Sequence, residues 1–444
     1  MSILPASLDN ENCDTAIRGS ILHFVADPDR QGDAHEYLDD GLLILKQGRV
    51  QMLVEAADWI NQLPDGCALY DYSGRLVMPG FIDTHCHYPQ TEMIASFGTQ
   101  LLDWLHEYTF PTEIKFAERE YADKMAAFFC RQMLINGTTT SAVFASVHPH
   151  SVDAIFEKAA SLDLCLIVGK VMMDRNAPPE LCDTAESSYR DSTELIRRWH
   201  LRGRGQYAVT PRFAPCSSPQ QLEVCGQLLA ENPDLYLQSH VAENRDEVAW
   251  VAKLFADSRS YLDVYDRYGL LGPRSIYGHC IYLDQQDRER MRDSGAAVAF
   301  CPTSNLFLGS GLFSLEDARG FDIRVGLATD VGAGTSFSLL QTMAEAYKVC
   351  QLGGQRLTPL KAFYLATLGG AEALYLDHRV GNFAVGKEAD FVVLDLAPTA
   401  LMQLRMEQAK TLEERLFALM MLGDDRCIQA THVMGRRQYS RSAA

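Results

Sequence analysis

FIDTHCH, residues 81–87, sets two histidines two positions apart in a short apolar run that follows Pro79-Gly80 and precedes Pro89. Such a run predicts a strand bounded by turn residues. Side chains on a strand alternate with period two, so His85 and His87 point to the same side. Working outward, seven further runs have the same character: TTTSAVFAS (138–146), LCLIVGKVMM (164–173), YAVTPRF (207–213), LYLQSHV (235–241), SIYGHC (275–280), AAVAFC (296–301) and IRVGLATD (323–330). Helical patterns fall between most of them. EREYADKMAAFFCRQMLIN (118–136) stops before Gly137, RDEVAWVAKLFAD (245–257) follows the fifth run, and LLQTMAEAYKVCQL (339–352) follows the eighth. A glycine just past a helical run is the expected C-terminal stop. The segment after the seventh run is short and only weakly helical. Eight alternating units predict an α/β chain folded as a TIM (β/α)8 barrel rather than an open sheet. GAGTS (332–336) lacks the glycine spacing of a dinucleotide site.

Both ends of the chain read differently. SILHFVAD (20–27), DGLLILKQGRV (40–50) and CALYDYSGRLVM (67–78) are strand-like, as are FVVLDL (391–396) and IQATHVMGRRQYS (428–440). At 444 residues and 47% hydrophobic content the chain can bury a large core. It shows no repeat, no basic leader ahead of an apolar stretch, and no apolar run near the roughly 20 residues that span a bilayer. The formal charge of -18 and the lack of a basic stripe argue against nucleic acid. Twelve cysteines without a C-x-x-C pair read as reduced thiols, which predicts a cytoplasmic protein with no membrane partner.

The polar residues of the middle segment carry the chemistry. His85 and His87 end the first run, Arg212 nears the end of the fourth, His240 ends the fifth, His279 the sixth and Asp330 the eighth. In a parallel barrel these ends open on one face, where barrel enzymes keep their sites. Three imidazoles and a carboxylate suit a borderline-soft divalent ion, zinc first and iron(II) as the alternative. Glu243 follows His240 by three residues in SHVAEN. Its mundane alternative is a first-turn glutamate favoured by the helix dipole; beside a metal it is a proton carrier for C–N hydrolysis. His23, His35, His200, His378 and His432 fall outside the cluster and read as surface or packing residues. His106, His148 and His150 lie in loops and stay open. Pro215-Cys216 is followed by Ser218-Pro219, not a second cysteine, which excludes the cytidine-deaminase type of zinc site.

PGFIDTHCH (79–87), SHVAEN (239–244), YGHC (277–280), CPTSN (301–305), ATDVG (328–332) and GNFAVGKEADFVVLD (381–395) together resemble the amidohydrolase superfamily. The resemblance spans about residues 20–440 and implies a distorted TIM barrel beside a small β-sandwich built from both chain ends. The implied parts are 1–78 and 381–444 for the sandwich and 79–380 for the catalytic barrel. HYPQ (87–90) with the segment through Glu113, TPRFAP (210–215) and LGSGLF (308–313) are similar to the members that deaminate guanine. That similarity implies hydrolysis of guanine to xanthine and ammonia, in a homodimer, with water as co-substrate. It implies one zinc per chain held by His85, His87, His240 and Asp330, with Glu243, His279 and Asp330 as catalytic groups. The base would lie among His87, Gln90, Arg212, Phe213, His240, Glu243 and Asp330. Related binuclear members bridge two metals with a lysine on the fourth strand; Arg212 stands there, and Lys170 on the third is a poor substitute, which favours one metal.

Overall fold

The computed structural model describes residues 8–441 apart from residues 10 and 99. The terminal residues 1–7 and 442–444, and Thr99 within the segment that leads to Glu113, lie outside the described residues. Sixteen strands are formed among the described residues: β1 (Thr15–Phe24), β2 (His35–Lys46), β3 (Arg49–Glu55), β4 (Ala68–Pro79), β5 (Phe81–His87), β6 (Thr138–Phe144), β7 (Cys165–Gly169), β8 (Val171–Met172), β9 (Gln206–Pro211), β10 (Tyr236–Val241), β11 (Ser275–His279), β12 (Ala297–Phe300), β13 (Arg324–Leu327), β14 (Phe391–Leu394), β15 (Ile428–Val433) and β16 (Arg436–Ser440).

The middle strands make a parallel sheet in the order β13-β12-β11-β10-β9-β7-β6-β5. It curls into a nearly closed barrel whose seam, between β13 and β5, is sewn by other bonds. Thr84 Oγ1 donates to Leu327 O at 2.9 Å, and the N–H of Asp330 donates to His85 O at 2.9 Å. Every residue of β5, β6 and β9 is buried, as strands covered on both faces must be. Small side chains such as Ala142, Ala208, Ala297 and Ala299 fill the interior beside Ile82 and Ile276.

The eight runs expected from the sequence all carry barrel strands, with local differences. The third is split at Lys170 into β7 and β8, which pair with β9 at Val168↔Tyr207 and Val171↔Thr210. Gly169 comes so near Ala208 that a Cβ there would sit 1.9 Å from its carbonyl oxygen, so only glycine passes. The weakly helical link after β12 contains two six-residue helices, Pro302–Phe307 and Leu315–Gly320. The long helix Arg119–Ile135 stops before Gly137, which has φ +79°.

The chain ends combine in a seven-stranded mixed sheet of order β16-β15-β14-β4-β1-β2-β3. β4 runs into the barrel through Gly80 alone, where a Cβ would meet Thr139 Oγ1 at 2.2 Å. Apolar clusters lie against this sheet, one around Ile17, Leu43, Val77 and Phe391, another around Ala16, Leu42 and Met52. Among the described residues no helix is long and apolar enough to cross a membrane.

Candidate metal centre and its cavity

β5 ends with His85 and His87 facing the barrel mouth, and β10 brings in His240. The Nε2 atom of His87 lies 3.2 Å from that of His85 and 3.1 Å from that of His240. Asp330 Oδ1 lies 3.3 Å from His85 Nε2 and 3.5 Å from His87 Nε2. Four ligands on a tetrahedron with metal bonds of about 2.0–2.2 Å stand about 3.3–3.6 Å apart. The donor set therefore fits a tetrahedral divalent ion. Burial, reinforced by the neighbouring imidazoles, pushes His87 and His240 well below the usual histidine range. Neutral imidazoles are the form that binds a metal, and the Nε2 atoms of His85 and His240, 3.2 and 3.1 Å from that of His87, converge as such a donor set would. A second grouping, His85, His279, Cys301 and Asp330, is also close. Its thiol donates to Ala299 O at 3.3 Å and is pushed well above its ordinary range by burial, so it is the poorer donor.

The surroundings orient these groups. Nδ1 of His240 is 2.5 Å from the Arg212 carbonyl oxygen, to which it donates, leaving Nε2 free. Gly278 lies under the His85 ring, where a Cβ would come within 3.1 Å. Asp83 ties β5 to the loop carrying Asp330, accepting from the N–H groups of Thr329 (3.0 Å) and His85 (3.3 Å). Asp330 is not in β13 but three residues beyond it, at φ +50°; His279 ends β11 at φ +70°. Non-glycine residues in the left-handed region concentrate at functional sites.

His279 and Glu243 face each other beside the cluster, with His279 Nε2 3.4 Å from Glu243 Oε2 and 3.8 Å from Asp330 Oδ2. His279 Nδ1 is 2.8 Å from Asn305 Oδ1, and Ser310 Oγ donates to Glu243 Oε1 at 2.9 Å. Burial pushes the Glu243 carboxyl up to about 7. The helix-start alternative for Glu243 does not hold. The helix spans Arg245–Leu254 with Asn244 as N-cap, and Glu247 takes the capping position. Glu247 accepts from the N–H groups of Glu243 (2.9 Å) and Asn244 (3.1 Å), so it fixes the turn that delivers Glu243.

The cavity over the cluster is lined by His87, Gln90, Arg212, Phe213, His240, Glu243, His279 and Asp330, with Leu101, Trp104, Leu105 and Leu308 as an apolar cover. Every site residue expected from the sequence lies in the cluster or on this wall. Arg212 and Phe213 come just after β9, and Gln90 sits in a 3-10 turn, Tyr88–Met93. Sequence reasoning gave no role to Glu113, Asn305, Ser310, Glu247 or Asp83. Glu113 receives Arg212 Nη1 at 2.9 and 2.8 Å and Gln90 Nε2 at 3.1 Å. Lys170 is buried and paired with Asp183, so it is committed elsewhere. His106, His148 and His150 are outside the cavity wall. A larger cleft of about 680 Å³ holds none of the site histidines. Several of its charges pair with one another, as in Arg30–Asp322 and Lys361–Asp27, both at 2.7 Å.

A model of the amidohydrolase family matches residues 76–437, which hold every barrel strand and every residue of the cluster; the chain belongs to that family. Over 438 residues it is 51% identical to a guanine deaminase of Escherichia coli K12, covering 98% of this chain and 100% of that protein. It is 33% identical to the guanine deaminase of Homo sapiens, covering 90% of each. Among solved structures, a guanine deaminase of C. acetobutylicum with guanine bound in its active site is 30% identical. It matches with a TM-score of 0.86, covering 96% of this chain and 100% of that one.

Proposed function

We propose that this chain hydrolyses guanine to xanthine and ammonia with one zinc ion held by His85, His87, His240 and Asp330. The observation that carries the reading is that Arg212 and Gln90 line the same cavity as the His/Asp cluster. Guanine offers a 6-oxo acceptor, which a guanidinium satisfies; adenine offers an amino donor there, and Arg has only donors. The relatives named above support the same substrate.

When bound, zinc lowers the pKa of a coordinated water to about 7 and so makes a nucleophile available at neutral pH. The side chains do the rest. Water adds its oxygen to C2 of the base, and its proton passes to the Asp330–His279 pair. Glu243 holds a proton near neutrality because of its burial. It hands that proton to the ring nitrogen next to C2. Its emptied carboxylate then takes the proton of the new C2 hydroxyl while the proton held by the Asp330–His279 pair passes to the amine, so that C2–N breaks, ammonia leaves and the 2-oxo group forms. Arg212 and Gln90 hold the base by hydrogen bonds and Phe213 packs on its ring. The apolar cover of Leu101, Trp104 and Leu105 keeps bulk water out. A homodimer belongs to the same proposal as an expectation of the resemblance in the sequence motifs, and light scattering tests it.

The test of function is release of ammonia and xanthine from guanine by the purified protein. Activity lost to a chelator and restored by zinc supports the metal assignment; turnover that survives chelation with the metal gone contradicts it.

A further inference from the structure

We propose that Glu113 is the residue that sets base discrimination, as a positioning residue behind Arg212 and Gln90. The inference rests on the guanine-deaminating reading and deepens it. Glu113 is 1% exposed and is not on the cavity wall, whereas Arg212 and Gln90 are. It sits on the short helix Phe110–Ile114, which follows the π-helical turn Leu105–Thr109.

Its carboxylate does three things. Both of its oxygens accept from Arg212 Nη1, at 2.9 and 2.8 Å, so this end of the guanidinium is held and Nη2 and Nε are left to face a ligand. The Arg212 carbon also lies 5.8 Å from the Phe110 ring centre, a second restraint from the same helix. It fixes which way the Gln90 amide points. A carboxylate only accepts, so Nε2 of Gln90 must face Glu113 (3.1 Å), and Oε1 then accepts from the N–H of Gly332 (3.3 Å). One N–H and one lone pair of Gln90 are left for the base, in a set orientation. Last, it compensates the Arg212 charge, so the wall offers directed donors without a net positive charge. Such a wall matches a neutral 6-oxopurine.

The test uses holoenzyme and two substrates with the same C2 amine: guanine and 2-aminopurine, which lacks the 6-oxo group. Glu113→Gln lets the Gln90 amide reverse and frees the Arg212 fork. The ratio of kcat/KM for guanine over 2-aminopurine should fall by about 10- to 100-fold, through guanine KM, with metal content unchanged. Glu113→Asp keeps the charge but withdraws it by one methylene, and should give an intermediate ratio. An unchanged ratio, or equal losses on both substrates, overturns the proposal. Failure of both variants to fold assigns Glu113 a purely structural role and also overturns it. Failure of the functional reading is seen separately, as a parent protein that does not turn over guanine.

Discussion

The main-chain carbonyl of Arg212 accepts from His240 Nδ1 at 2.5 Å, while the Arg212 side chain lines the cavity over the metal cluster. One residue thus orients a metal ligand with its backbone and faces the substrate with its side chain. The two jobs respond differently to substitution.

Arg212→Ala keeps the carbonyl and should keep the metal. It removes a charged hydrogen bond to the base, so kcat/KM on guanine should drop by about 2–3 kcal/mol. It also leaves the Glu113 carboxylate buried without its partner, which should cost about 3–5 kcal/mol of stability. Metal analysis, steady-state kinetics and chemical denaturation of the same preparation check the three expectations. Metal loss would show that the side chain, not the carbonyl, orients His240.

Glu243→Gln should retain the metal and the fold and lower kcat by about 10²- to 10⁴-fold, as loss of a general acid/base does. Glu243 lies ahead of the helix N-cap, and the capping bonds are made by Asn244 and Glu247, so the substitution leaves the cap in place. Near-normal turnover in this variant would remove Glu243 from the chemistry.

Metal analysis should find about one equivalent per chain. The potential bridging side chain, Lys170, is buried against Asp183, and Arg212 stands directly after the fourth barrel strand. Two equivalents held at the mouth would contradict the mononuclear site.

Stability should fall on acidification. His432 stacks on Phe391 with ring centres 4.2 Å apart, lies 2.8 Å from the Tyr72 hydroxyl, and is lowered by burial from 6.5 to about 4. The unfolded chain takes up a proton as pH drops through 6.5, and the folded chain does not until about 4. Its contribution is therefore complete above 6.5 and is lost across that window, by about 3 kcal/mol at the limit. His432→Gln should be less stable at neutral pH but flatten this part of the pH profile. An unaltered slope between pH 6.5 and 4 would locate the acid sensitivity elsewhere.

The parts of the site that were legible in sequence are those tied to strand period. His85 and His87 share a face because a strand alternates, and His240 and His279 end runs that any parallel barrel would align. Glu113, Asn305 and Ser310 left no such mark. Each reaches the site from a short helix or loop whose place depends on packing between distant segments, as when Glu113 meets Arg212 across the barrel mouth. Glu113 stood within a segment that resembled known proteins, yet nothing local distinguished it from a surface glutamate. Asp83 carried a weak signal, being on the same strand face as His85 and His87. The run 323–330 places Asp330 at the end of a strand, but β13 stops at Leu327, and the left-handed turn that carries Asp330 inward needs contacts with β5. The alternation of the chain ends announced strands; that β1 pairs parallel with β4 and β14 joins them from the far end of the chain is set by long-range pairing.

The central claim is that this barrel mouth is built for guanine. Side-by-side steady-state kinetics on guanine, adenine, cytosine, guanosine and a pterin tests it most directly. Guanine should show the highest kcat/KM, with adenine lower by roughly 10⁴-fold, because its 6-amino group would set a donor against the ligand-facing N–H groups of Arg212 in a buried pocket. A higher kcat/KM for any of the other four would contradict the assignment of guanine while leaving a metal-dependent hydrolase in place.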